Sequence, residues 1–155
     1  MFFNGGPAGG ASLGVDGWPL IMTSGGMGGL KIASVELSEI LYPFRVDRQE
    51  IGTDSMGHGQ YLGGPGVEIQ ITPTSGAMEC NLFGEGQSNP PHGVLGGTPG
   101  IGGSSYKENL TTGRRTYCTS KGRMIIEKDD VWVGYSSGGG GYGDPLKRDP
   151  NAVLE

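Results

Sequence analysis

Asp54, Ser55 and His58 place a carboxylate, a hydroxyl and an imidazole within one short stretch of chain, the three side-chain types of an acyl-transfer triad. Catalytic groups of that kind usually converge from distant positions, and the chain contains no Gly-x-Ser-x-Gly elbow, so Asp54 and Ser55 read more simply as turn formers. His58, His92, Cys80 and Cys118 are the types that hold a tetrahedral zinc ion. Their spacing offers no close ligand pair, and loop histidines with buried free thiols are the simpler reading. Clustered glycines suggest a phosphate cradle. A P-loop, however, needs lysine followed by Ser or Thr after its second glycine, at the start of a helix. Ser120-Lys121-Gly122 has that order wrong, and the run Gly138 to Gly143 meets Asp144-Pro145. The residues alone therefore assign no catalytic, cofactor-binding or metal-ligating position, and the glycines read as turn formers.

Composition limits what can position these groups. The 155 residues include 33 glycines and 10 prolines, with 34% hydrophobic and 17% charged residues. Glycine costs a helix interior about 1 kcal/mol relative to alanine, which excludes a long-helix protein. Charge is too sparse for a typical disordered chain, and six Tyr, four Phe and two Trp argue for an ordered, loop-rich β protein. Net charge is −5. The basic residues gather only at Arg114, Arg115, Lys121, Arg123 and Lys128, where Glu127, Asp129 and Asp130 offset them, so no nucleic-acid partner is expected. No run is apolar enough to span a membrane, and the opening residues carry no secretory leader, so neither a membrane partner nor export is expected. Two cysteines without a CxxC pattern fit reduced thiols in the cytoplasm.

Periodicity supplies the elements. Residues 1–30 form a glycine-rich arm with too little apolar content for a core, which must lie on something or move; an interface role is expected. Residues 31–155 form the module proper. Ser34 to Leu41 reads as a short helix, capped by Ser34, favoured by Glu36 at its positive end and stopped by Pro43. Period-2 alternation predicts strands from Phe44 towards Ile51, at Val67–Ile71, Met78–Leu82, Arg115–Thr119, Arg123–Glu127 and Val131–Tyr135. Residues 52–66 and 84–105 are glycine-rich connections whose glycines are expected to need positive φ. Lys128-Asp129-Asp130 forms a turn, and Asp149-Pro150 opens a helix too short to persist alone. The expected fold is mainly β: a loop-rich β-barrel or sandwich-like single domain with one or two short helices.

The glycine motifs occur in a telling order. Asp54 to Val67, Pro90-Pro91-His92-Gly93 to Gly100, and Ser137 to Leu154 with its GGGGYGDPLKRDP core resemble motifs of the hydantoinase B/oxoprolinase family, as do Val35-Glu36 and Tyr42-Pro43. The likeness covers residues 34–154. It departs at Met56, His58, Leu62 and His92, where the family commonly has small residues, Arg and Trp. The resemblance implies a C-terminal module made as its own chain, as in carboxylases of the acetophenone type. It implies a structural or assembly subunit of a multi-subunit ATP-dependent carboxylase, partnered by larger hydantoinase A- and B-like subunits. ATP and a divalent metal would then belong to the complex, with no cofactor bound by this chain. An ATP-dependent amidohydrolase of the hydantoinase or oxoprolinase type is the alternative, in which His58 or His92 would line the active site.

Overall fold

A computed structural model describes residues 6–21, 34–84 and 86–153. The expectations for residues 1–5, 22–33 and 154–155 lie outside these described residues. Ser34 caps helix α1 (Val35–Leu41), its hydroxyl accepting the Leu37 N–H at 3.2 Å. The chain becomes extended at Tyr42, before Pro43, and strand β1 (Phe44–Ile51) follows. The remaining strands are β2 (Val67–Pro73), β3 (Met78–Phe83), β4 (Ser104–Asn109), β5 (Arg115–Tyr117), β6 (Lys121–Ile126) and β7 (Asp130–Tyr135). Short 3-10 turns at Pro145–Lys147 and Pro150–Val153 follow. At the second, Asp149 accepts the Asn151 N–H at 2.9 Å.

The strands make two antiparallel sheets, one ordered β1-β2-β7-β4-β5 and the other β3-β6. The larger sheet is open, with β1 and β5 at its edges, so the barrel alternative fails and the sandwich-like one holds. Val67, Ile69 and Ile71 alternate on β2 and bury one sheet face with Phe44. Leu82, Met124 and Ile126 bury the facing surface of β3-β6, and Met78 and Trp132 pack against both groups. On the opposite face of the larger sheet, Tyr106, Val131 and Val133 form a third cluster. Burying each such side chain contributes about 1.5–3 kcal/mol.

Two expectations are corrected here. Strand β4 was not anticipated: Tyr106 stands alone among Ser, Lys, Glu and Asn, so no apolar alternation marks it. Its strand character comes from its neighbours, since Ser104 to Asn109 pair along the whole of β7. The strand beginning at Arg115 stops at Tyr117 rather than Thr119, and the Cys118 N–H then donates to the Ser105 carbonyl at 2.9 Å. In β1 a bulge lies between Val46 and Arg48. In uninterrupted register Arg48 would stand opposite Ile69, on the apolar face. The extra residue sets it opposite Gln70 instead, where its guanidinium reaches Glu68 at 3.2 Å.

Candidate functional site

The glycine-rich segments converge on one extended ribbon, Gly138–Gly141, fully buried. Its N–H groups donate to distant loops: Gly138 to the Ile101 carbonyl at 3.0 Å, Gly139 to Gly64 at 2.9 Å and Gly141 to Thr98 at 3.0 Å. Its carbonyls accept from Gly57 at 2.8 Å, Ala11 at 2.9 Å and Val94 at 2.9 Å. Three pieces of chain, the arm at 8–11 and the loops at 55–66 and 91–101, are thus fastened to one another through a strip that has no side chains.

That packing explains the glycines differently from the turn-forming role read in the sequence. Within 52–66 the residue with positive φ is Asp54, at 51°, and none of the glycines there has one. They are glycines because backbone passes where a Cβ would stand. A methyl on Gly63 would strike the Gly139 carbonyl, one on Gly57 the Thr98 carbonyl, and one on Gly59 would lie 2.5 Å from the Tyr142 oxygen. The ribbon reciprocates: Gly138 abuts the Ser55 carbonyl, Gly140 that of His92 and Gly141 that of His58.

The candidate residues can be placed on this frame. Ser55 is a strap: its buried hydroxyl donates to the Gly52 carbonyl at 2.7 Å and accepts the Gly66 N–H at 2.8 Å. Its proton is committed to that bond, and Asp54 beside it is exposed, so these two act as turn residues. His58 and His92, 34 positions apart in sequence, are brought against adjacent ribbon glycines, and both are exposed. His58 is locked in place by a reciprocal pair with Thr98, its N–H donating to Thr98 Oγ1 and its carbonyl accepting the Thr98 N–H, both at 2.7 Å. Cys80 and Cys118 are free thiols that flank the Leu82–Met124–Ile126 cluster of the smaller sheet. Burial, with Cys118 adding to it, pushes the Cys80 thiol up to about 11.

Arg148 is a positioning residue that residue types alone did not single out. Its guanidinium makes two bonds to the Asp16 carboxylate and reaches the carbonyls of Gln60 and Ala152, each at 3.2 Å. Asp16 also accepts the Leu62 N–H at 2.8 Å. The hydrogen bonds from Arg148 hold the Asp16 carboxyl below its usual range, against the opposing effect of partial burial. The Lys147-Arg148-Asp149-Pro150 segment of the motif was the available signal. Its partner Asp16, far away in the arm, was not legible.

The ribbon is not built as a phosphate cradle. A glycine loop cradles phosphate with free N–H groups, whereas those of Gly138, Gly139 and Gly141 are spent on carbonyls. Among the described residues no three of His, Cys, Asp and Glu are placed to share a metal ion. What the surface does offer is apolar. Val94, Leu95 and Leu146 are exposed beside the end of the ribbon, and Leu95 is held at a φ of 51° in a tight turn closed by Gly97 N–H to the Val94 carbonyl. Among the described residues no helix is long and apolar enough to cross a membrane.

Comparison with known proteins places this arrangement. The hydantoinase B/oxoprolinase profile matches residues 1–145. The beta subunit of caprolactamase from Pseudomonas jessenii is 31% identical over 150 residues, covering 94% of this chain and 26% of the relative. The alpha subunit of acetone carboxylase from Xanthobacter autotrophicus is 25% identical over 158 residues, covering 80% of this chain and 20% of the relative. The crystal structure of the ATP-dependent caprolactamase from Pseudomonas jessenii superposes with a TM-score of 0.78 at 26% identity, covering 96% of this chain and 26% of that one. Nucleotide-free acetone carboxylase shares the fold at a TM-score of 0.75 and 21% identity, covering 95% of this chain and 24% of that one. The chain therefore spans about a quarter of the length of these relatives.

Proposed function

We propose, from the premise that the chain belongs to the hydantoinase B/oxoprolinase family, that it is a structural module of a larger ATP-dependent enzyme and completes an assembly whose catalytic groups lie on partner chains. One observation carries the reading: the glycine-rich loops are used to fasten one another, the Gly138, Gly139 and Gly141 N–H groups each donating to the carbonyl of a distant loop. The fold corresponds to about a quarter of the relatives it matches. The partners are larger hydantoinase A- and B-like subunits, which bind ATP and a divalent metal, and the compartment is the cytoplasm. The reaction we assign is carboxylation of a ketone of the acetophenone type with bicarbonate, driven by ATP hydrolysis. The test is to purify the tagged chain from its native host, identify what accompanies it, and measure ATP hydrolysis by that complex. Release of phosphate dependent on ketone and bicarbonate supports the reading. A lone chain with no family partner sinks it.

A second reading is favoured by the higher identity to the caprolactamase subunit than to the acetone carboxylase subunit, 31% against 25%. In it the assembly is an ATP-dependent amidohydrolase acting on a lactam or related cyclic amide, and exposed His58 and His92 contribute to its active site. Lactam-dependent ATP hydrolysis that drops in the His58→Ala, His92→Ala double variant, with assembly intact, selects this reading. Unchanged turnover in that variant removes the two histidines from the chemistry.

A further inference from the structure

The two thiols of this chain share one small site. In the β3-β6 pair Leu82 stands opposite Gly122, and Cys80 stands opposite Met124. The two-residue period of a strand puts these four on one face of the smaller sheet, the face that buries Leu82, Met124 and Ile126. Gly122 leaves a gap in that face. Cys118 fills it, its sulfur lying 2.7 Å from the point where a Gly122 Cβ would stand. Cys80 is the diagonal neighbour of Gly122 across the pair, a relationship that brings side chains within reach of one another. The missing side chain of Gly122 is thus what admits a second sulfur beside Cys80. Both cysteines pack against the Leu82–Met124–Ile126 cluster, and the charge of a Cys118 thiolate is felt at Cys80. Both are half-buried.

The two positions belong to different layers. Cys80 is part of the smaller sheet. Cys118 follows Tyr117, the last residue of β5, and its N–H donates to the Ser105 carbonyl of β4 in the larger sheet. The connection from Cys118 to β6 is pinned as well. The Ser120 carbonyl accepts the Gly84 N–H at 2.7 Å, and the Thr119 hydroxyl donates to the Lys121 carbonyl at 2.8 Å. The Cys118 sulfur is therefore held at the place where the two layers meet.

We propose that Cys80 and Cys118 are a redox pair, which a small-molecule disulfide closes into a cross-link that bolts the smaller sheet to the larger. The Cys118 thiolate attacks one sulfur of the oxidant, and one thiol of the reagent leaves. Cys80 then gives up its proton, its sulfur attacks that of Cys118 in the mixed disulfide, and the second thiol leaves. Two protein thiols become one disulfide while one oxidant disulfide becomes two thiols. Cys118 opens the exchange because burial keeps the Cys80 thiol protonated at neutral pH. The bridge joins residues 38 positions apart in sequence, so closing it removes much of the unfolded chain's freedom.

The test treats the full-length tagged chain from its native host, with whatever accompanies it, first with reductant and then with oxidised glutathione at pH 8. Cys80→Ser and Cys118→Ser are treated in parallel. Three readouts are taken: peptide mapping by mass spectrometry without reduction, non-reducing electrophoresis, and the thermal midpoint. The expected wild-type result is a linked Cys80–Cys118 peptide within one chain and a midpoint raised by about 5–10 °C, reversed by dithiothreitol. Cys80→Ser should stop with glutathione on Cys118, and neither variant should gain in midpoint. Should a serine variant fail to fold, the wild-type peptide map and midpoint still decide. Glutathione retained on wild-type cysteines without a bridge overturns the proposal. So does a bridge that forms in urea but not in buffer, or one that links two chains. A bridge that forms within the native chain and lowers the midpoint strains the fold, and the cross-link is then no bolt between the sheets.

Discussion

Arg148 grips Asp16 across 132 residues of sequence with two parallel hydrogen bonds, of 3.0 Å and 2.9 Å. The same guanidinium bonds the carbonyls of Gln60 and Ala152, so a single side chain holds together the arm, the loop before β2 and the last 3-10 turn. The arm also docks by backbone bonds, from Ala8 to the Ser137 carbonyl and from Ala11 to that of Gly140, and its Leu20 packs against the Phe44–Val67–Ile69–Ile71 cluster. The fork is the ionic lock on that docking.

Removing the lock should loosen the arm. Arg148→Ala removes four hydrogen bonds, to both Asp16 oxygens and to the Gln60 and Ala152 carbonyls, and is expected to cost about 2 kcal/mol. Arg148→Lys recovers only part of this, because an ammonium cannot reproduce the planar fork. Asp16→Ala costs less, about 1 kcal/mol, since its carboxylate is partly exposed and solvent screens the pair. Urea unfolding of the three variants measures the order, and limited proteolysis within residues 6–21 should rise in parallel.

Acid should weaken the module through Asp130. Burial raises the pKa of this carboxyl, but hydrogen bonds from Lys107, Asn109 and the Glu127 N–H outweigh it and hold the group below its usual range. A carboxylate with a depressed native pKa stabilises the fold above its unfolded pKa, and that contribution is lost as pH falls through the native one. Stability should therefore decline below about pH 4, with Asp16 adding in the same sense. Asp130→Asn flattens that decline. Asp130→Ala, which strands Lys107, costs about 3 kcal/mol at neutral pH. Urea titrations at several pH values give the slopes.

Alanine scanning of glycines should sort them by backbone approach rather than by φ. Gly63→Ala and Gly139→Ala each drive a methyl into a neighbouring carbonyl, and about 3 kcal/mol or more is expected to be lost. Gly76→Ala has a φ of 69° and open space around its Cβ position, so its cost is only the left-handed backbone, about 1 kcal/mol. A larger loss at Gly76 than at Gly63 contradicts the account of the ribbon.

Cys80 should be sluggish towards thiolate-seeking reagents. With its pKa pushed up to about 11, the folded thiol is protonated at pH 8. Alkylation by iodoacetamide, mapped to the Cys80 peptide, should stay slow there and accelerate towards pH 11. In urea the unfolded thiol, near pH 8.5, should react quickly at pH 8.

The regular elements were legible because their cause is local. Val67, Ile69 and Ile71 alternate and are buried, and Ser34 with Pro43 brackets α1. Strand β4 was invisible for the converse reason: its pairing with β7 decides its conformation, and only Tyr106 contributes an apolar side chain to the core. The glycines of 52–66 were legible as glycines and misread in role, whereas Gly86 and Gly96 in 84–105 do take the positive φ expected there. A positive φ and a close backbone approach leave the same letter in a sequence. The neighbour that excludes a Cβ from Gly63 is 76 positions away, at Gly139. The same distance hid the placing of His58 and His92 on adjacent ribbon glycines, and the partnership of Arg148 with Asp16.

An interior made of peptide groups also has a calorimetric signature. Unfolding Gly138–Gly141 and its flanking loops hydrates amides far more than hydrocarbon, and polar hydration lowers the heat capacity while apolar hydration raises it. The heat-capacity increment of this protein should accordingly fall below the usual value of about 12–15 cal/mol/K per residue. Its stability would then vary more gently with temperature. The ribbon's contribution would persist on cooling, when hydrophobic cores weaken.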